Sequence, residues 1–138
     1  MPVTKRTAPL VKVTRNTVTV TSTGSTLTVL AADAPSAFGL RPGVVFVFPG
    51  QGSQAVGMGG ELAVQYPAAR RVFEEVDHAL GQGLSRLMAE GPEAELTQTE
   101  NAQPALMAVS MAVLAVLREE HGIELIRLGH CVAGHSLG

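Results

Sequence analysis

Hydrophobic and polar positions divide the chain into two regimes. Around Lys12 to Leu30 the pattern has period two: Val11 and Val13, then Val18 and Val20, then Leu27 and Val29, set among threonines. With Thr23-Gly24-Ser25 in its middle, this alternation predicts a hairpin. A lone hairpin is marginal in water, so it would need to pack on the remainder. From residue 44 the rhythm changes. Val44-Val45-Phe46-Val47-Phe48 is a continuous apolar run between Pro-Gly signals, which predicts a fully buried parallel strand. Pro49-Gly50-Gln51-Gly52-Ser53-Gln54 reads as a tight loop, with a helix from near Ser53 to about Tyr66.

Pro67 suits the first turn of the next helix. Val72, Phe73, Val76, Ala79 and Leu80 recur at helical spacing, and Gly81 supplies a stop. Leu84, Leu87 and Met88 predict a short helix ended by Gly91. Pro92 to Leu96 reads as another short turn with acids at its start. Asn101 is placed to cap a long helix, with Pro104 in its first turn and Gly122 past its end. From Ala105 to Leu117 only Ser110 is polar, as expected of a buried core helix rather than a membrane span. Leu128 to Ala133 then reads as a second strand. Strand, helices, strand is an α/β pattern.

Composition narrows the classes. The 138 residues are 46% hydrophobic and 16% charged, which excludes a disordered chain. Aromatics are 4%, Trp is absent and the net charge is −2, which argues against a nucleic-acid partner. The single Cys131 excludes an intramolecular disulfide and multi-Cys zinc. His130, Cys131 and His135 match no common zinc spacing, so no metal is expected, and no apolar run predicts a membrane partner. His78 and His121 read as a surface residue and a helix-end cation.

Charge is uneven. Residues 1–42 carry five cations against Asp33 alone, whereas the remainder carries five arginines against eleven acids. Nine of the first thirty residues are Thr. A boundary is therefore drawn near Pro42-Gly43, between a basic, Thr-rich extension with linker (1–42) and a second unit (43–138). Besides a hairpin, the extension reads as an organelle transit peptide or a disordered segment. It lacks the apolar stretch of a secretory signal.

Two loops carry chemistry. Gly134-His135-Ser136-Leu137-Gly138 fits G-x-S-x-G, the sharp strand-to-helix turn that lifts a serine hydroxyl out of a sheet. Flanking glycines let the turn close, and the Leu137 backbone N–H would face a developing oxyanion. The other loop, Gly50-Gln51-Gly52-Ser53-Gln54, follows a buried strand. It reads as an oxyanion loop donating the Gln51 N–H, or as the dinucleotide fingerprint G-x-G-x-x-G/A. The fingerprint needs an acid ending a second strand about twenty residues on, whereas Glu74 and Glu75 fall in a helical repeat.

Together, VFVFPGQGSQAVGMG, GPEAELTQTENAQPALMAVSMAV and VAGHSLG resemble the N-terminal part of the malonyl-CoA:acyl carrier protein transacylase family, and less closely the polyketide synthase acyltransferase domains. The resemblance spans about residues 44–138. It implies an α/β-hydrolase-like acyltransferase domain cut at the nucleophile elbow, with its ferredoxin-like subdomain absent. It implies Ser136 as acyl-accepting nucleophile and Gln51 and Leu137 as oxyanion donors. His135, Gln103, Gly50 and Gly52 fall in the active-site vicinity, with His135 as a positioning residue. The implied substrate is malonyl-CoA, the implied partner acyl carrier protein, with no cofactor. The family's general-base His and carboxylate-gripping Arg lie beyond the elbow, so this chain is expected to be inactive alone. The alternatives are a polyketide synthase acyltransferase fragment, a serine esterase and a non-catalytic fragment. The expected location is cytoplasmic, or an organelle if residues 1–42 act as a transit peptide.

Overall fold

The computed structural model describes residues 11–14, 17–22, 25–31 and 44–134. Five strands form one sheet in sequence order: β1 (Val11–Thr14), β2 (Thr17–Ser22), β3 (Ser25–Ala31), β4 (Val44–Phe48) and β5 (Gly129–Gly134). The first four pair antiparallel, and β4 with β5 is parallel. Six helices lie between β4 and β5: α1 (Gly60–Gln65), α2 (Pro67–Leu80), α3 (Leu84–Glu90), α4 (Glu93–Leu96), α5 (Thr99–His121) and α6 (Leu125–Leu128).

The expected hairpin is β2–β3, and β1 extends it to a three-stranded meander. Register explains the alternation. Val11 faces Val20 and Val13 faces Val18, while Val18 faces Val29 and Val20 faces Leu27, so six aliphatic positions share one face. Thr19 and Thr28 share the other with Lys12. The link to β4 pairs Leu30 with Val45 and Ala31 with Val44. By parity the aliphatic face of the meander is therefore continuous with the face carrying Phe46 and Phe48. On β4 that face is covered by helices, and α1 approaches β2. The linker expected through Pro42 lies outside the described residues.

The core sits between that face and α1, α2, α3 and α5. Phe46, Met58, Leu62, Leu84, Met88, Leu96, Val116 and Leu117 are fully buried. Alanines at Ala68, Ala69, Ala105, Ala108 and Ala112 are also buried, and small side chains let α2 and α5 approach closely. An ion pair between Arg71 of α2 and Glu119 of α5 adds to this contact at the surface.

Four expectations change. Val44–Phe48 is not buried on both faces: Phe46 is in the core, but Val47 is 48% exposed, because the described helices cover one side only. The first helix starts at Gly60 rather than Ser53, since turns run through Gly52, Gly57 and Gly59 at positive φ. Asn101 is not a cap. The α5 helix begins at Thr99, and Asn101 donates from inside its first turn to the Glu95 carbonyl at 3.0 Å. Nor is α5 buried all round: Met107 and Met111 are 59% and 51% exposed. They lie on a stripe with Gln103 and Arg118, while the other faces sit in the core. By length and hydropathy α5 could cross a membrane, yet its burial makes it the central core helix. It ends as expected at Gly122, whose φ of 63° allows Ile123 N–H to reach the Leu117 carbonyl at 2.9 Å.

Gly59 is fixed by sterics. Its φ is +77°, and a Cβ there would lie 2.7 Å from Phe73 Cζ in the core. Gly59→Ala is expected to lower stability by about 2 kcal/mol or more, from left-handed strain plus overpacking. Gly60→Ala, whose Cβ meets nothing within 4 Å, should be neutral or mildly stabilising. Urea denaturation of both variants checks this, and equal losses would contradict it.

Hydrogen bonds from Arg71, then Arg118, hold the Glu119 carboxyl below its ordinary pKa. A depressed folded-state pKa contributes stability above the unfolded value, lost as pH falls through the folded one. Glu119→Gln is therefore expected to flatten the acid limb of the melting temperature against pH, with wild type ahead only where Glu119 is ionised. An unchanged limb would show that the pair contributes nothing, as exposed pairs often do.

Candidate active site

The two motif loops leave neighbouring strands at the same end. In the parallel pair Val45 faces Cys131, Phe46 faces Val132, Val47 faces Ala133 and Phe48 faces Gly134. The last residue of β4 thus stands beside the first glycine of G-x-S-x-G. Phe48 and Gly134 lie at the carboxyl ends of adjacent parallel strands, where open α/β sheets bind ligands. A register shift between Val44 and Val45 lies at the far end and leaves this alignment intact. His135, Ser136 and Leu137 lie outside the described residues.

The first loop is shaped by its own backbone. Ser53 N–H reaches the Gly50 carbonyl at 3.2 Å, closing a turn over Gln51 and Gly52. Gly50 is buried beneath this turn, while Gln51 and Gly52 are exposed. Gly52 has φ of 102°, and its N–H donates to Gln54 Oε1 at 2.8 Å. The Gln51 backbone N–H carries no acceptor among the described residues. Of the two amides at the tip, Gly52's is occupied and Gln51's is free for a ligand. Farther along, Gly57 N–H donates to the Met88 carbonyl at 2.7 Å, tying the loop to α3.

The start of α5 completes the arrangement. Gln51 Nε2 donates to Thr99 Oγ1 at 3.4 Å, bringing the loop to the first turn of α5. Gln103 lies one turn beyond Thr99, on the same helix side, and is exposed. The structure thus brings together Gly50, Gln51, Gly52 and the first turns of α5. Thr99 was missed in the sequence. The only signal for it was its four-residue offset from Gln103. Among the described residues, no three His, Cys, Asp or Glu side chains gather as a metal site. His78 and His121 are exposed on α2 and α5.

Residues 45–138 match the acyl transferase domain family. A malonyl CoA-acyl carrier protein transacylase of Bacillus subtilis (strain 168) is 53% identical over 95 residues, which cover 69% of this chain and 28% of that protein. A Drosophila melanogaster protein, named a probable mitochondrial form of the same transacylase, is 45% identical over 94 residues, 68% of this chain and 24% of its own length. Among solved structures, an acyl-carrier-protein-S-malonyltransferase from Bartonella henselae superposes with a TM-score of 0.64 at 59% identity, covering 67% of this chain and 29% of that one. A malonyl-transacylase in complex with its type II PKS acyl-carrier protein superposes at 0.62 with 44% identity, over 68% of this chain and 29% of its own. The chain spans less than a third of the length of these relatives.

Asn101 holds the entry to α5, because its buried amide spans from α5 to the Glu95 carbonyl of α4. Asn101→Ala is expected to cost about 1–3 kcal/mol by leaving that acceptor without its donor. Asn101→Asp should cost more, since a carboxylate would face the carbonyl. Chemical denaturation of the two variants measures this, and wild-type stability in the Asp variant would refute the role.

Proposed function

The chain belongs to the acyl transferase domain family, and on that premise we propose that it supplies the nucleophile and oxyanion loop of a malonyl-CoA:acyl carrier protein transacylase. The acyltransferase portion is assigned to residues 43–138, the N-terminal part of an α/β-hydrolase-like acyltransferase domain, with residues 1–42 as an extension. The observation that carries the reading is the pairing of Phe48 with Gly134, which starts both motif loops side by side.

Ser136 Oγ attacks the thioester carbonyl of malonyl-CoA while its proton passes to a base. The new C–O bond forms, and the carbonyl electron pair moves onto oxygen. That oxyanion accepts hydrogen bonds from the backbone N–H groups of Gln51 and Leu137, each contributing about 3–4 kcal/mol when well aimed. Collapse breaks the C–S bond, and coenzyme A leaves as the thiol with the proton. The phosphopantetheine thiol of acyl carrier protein then attacks the malonyl-serine by the same path, and Ser136 regains its proton. Two half-reactions through one covalent intermediate give ping-pong kinetics.

Gln51 is favoured over Gly52 as donor because its N–H has no acceptor among the described residues, whereas the Gly52 amide is engaged by Gln54. Gly50 and Gly52 shape the turn. Gln103 reaches toward the acyl group from α5, and His135 positions the elbow. No cofactor takes part. The resemblance implies that the family's general-base His and carboxylate-binding Arg lie C-terminal to the elbow. The proposed location is the cytoplasm. The mitochondrial name of the Drosophila relative supports an organelle as the alternative, with residues 1–42 as transit peptide.

A chimaera is the test: this chain continued by the remainder of the Bacillus subtilis relative, incubated with radiolabelled malonyl-CoA. Label is expected on Ser136, and Ser136→Ala should abolish it. Gln51→Pro, which deletes the N–H, should lower kcat about 10²–10³-fold, while Gln51→Ala, which keeps it, should cost far less. The 138-residue chain alone should show negligible transfer. An unlabelled Ser136 in a folded chimaera would refute the reading.

A further inference from the structure

A second concavity lies away from the motif loops, between α1, α2 and α3. It encloses about 440 Å³, within the range of small-molecule sites. Met58, Phe73 and Met88 form an apolar floor buried in the core, and Ala63 and Val64 form a wall. Its mouth is open at Gly60, where a Cβ would meet nothing within 4 Å.

The charges around it set it apart. Five arginines fall in residues 44–134. Arg71 and Arg118 are paired with Glu119, and Arg127 with Glu124. The side chains of Arg70 and Arg86 have no ion pair or hydrogen bond among the described residues, and both line this cleft. Glu74 is the one carboxylate on the rim, and it lies beyond ion-pair distance of both. The Ser85 hydroxyl, also on the rim, is committed to Asp77. A larger cleft of about 590 Å³ between α2, α5 and α6 differs, since its Arg118 and Glu124 are already neutralised by neighbours.

The geometry points to a binding site for a single-chain amphiphilic anion, its alkyl tail on Met58, Phe73 and Met88 and its carboxylate or phosphate head between Arg70 and Arg86. Met58, Phe73 and Met88 are already out of water, so the apolar surface the tail would cover is that of the exposed Val64 and Ala89 above them. The head would give two guanidinium groups the acceptor they lack, through charge-assisted hydrogen bonds. A cation would meet two arginines against one glutamate, and a neutral amphiphile would leave both arginines as they are.

The 138-residue chain, carrying ¹³C-methyl methionine, can be titrated below micelle-forming concentrations with decanoate, decyl phosphate, decan-1-ol and decyltrimethylammonium. The two anions are expected to bind saturably and to shift the Met58 and Met88 methyls while leaving Met107 and Met111 unmoved. The pair of anions separates a carboxylate from a phosphate head. Arg70→Gln with Arg86→Gln should weaken anion binding about tenfold or more without altering the weak response to decan-1-ol. Gly60→Leu, which fills the mouth, should abolish the shifts and keeps the test decisive if the double variant fails to fold. Equal binding of the neutral or cationic amphiphile, or shifts centred on Met107 and Met111, would overturn the site.

Discussion

Adjacent parallel strands cannot be joined by a tight turn; the chain must leave one end of the first strand and return to the start of the second. Here that return occupies residues 49–128 and includes all six helices. The crossover brings Gly134 beside Phe48, and the rest of the structure depends on that pairing. A slip of one residue would turn Phe46 from the core to the opposite face and displace one loop against the other. Packing enforces the register, because Phe46 is locked beneath the helices. The irregularity the pairing contains is placed at Val44 and Val45, away from the loops. Hydrophobic burial by Phe46 thus sets the position of a backbone amide at Gln51.

Much of this was legible because it is local. Pro67 and Gly81 bracket α2, Gly91 follows α3, and Gly122 ends α5, each through a backbone preference that a single residue carries. The strands β4 and β5 were legible because Gly50-Gln51-Gly52 and G-x-S-x-G each imply a strand before them. The misreadings share a cause. Asn101 has the chemistry of a cap, but its partner is a carbonyl six residues back, and Gln98 precedes the helix instead. In the stretch 53–59, Gly57 and Gly59 were local signals against a helix, but that Gly59 is required beneath Phe73 no local pattern records. Thr99 was invisible as a site residue because its contact with Gln51 joins positions 48 apart. Strand order had the same difficulty: the period-two pattern of 11–31 announced strands but not that they would extend β4 in phase.

That phase is informative about the sheet. An antiparallel meander with one aliphatic and one threonine-rich face suits a sheet with one face covered and one wet. A parallel pair built from Val44–Phe48 and Gly129–Gly134 suits a sheet covered on both. The two join in one sheet, so the face shared by Lys12, Thr19, Thr28, Val45 and Val47 changes from polar to apolar as it crosses from β3 to β4. The exposure of Val47 follows directly: its sequence belongs to a two-sided strand, while the helices between β4 and β5 lie on the side of Phe46.

The same reasoning applies to α5. A helix apolar from Ala105 to Leu117 encodes burial in every direction, yet one stripe through Met107 and Met111 stays open. Exposed methionines at successive turns of a core helix are not the ordinary scatter of surface apolar residues, because Val109, Val113 and Val116 on its other sides are buried. Two independent elements, β4 and α5, therefore carry apolar sequence in excess of what residues 44–134 can cover. One excess lies on β4, which leads to the Gln51 loop, and the other on α5, whose first turn meets that loop through Thr99. The candidate site thus lies where the core covers one side of β4 and α5 and leaves Val47, Met107 and Met111 exposed on the other. The chain spans under a third of the length of the relatives it matches.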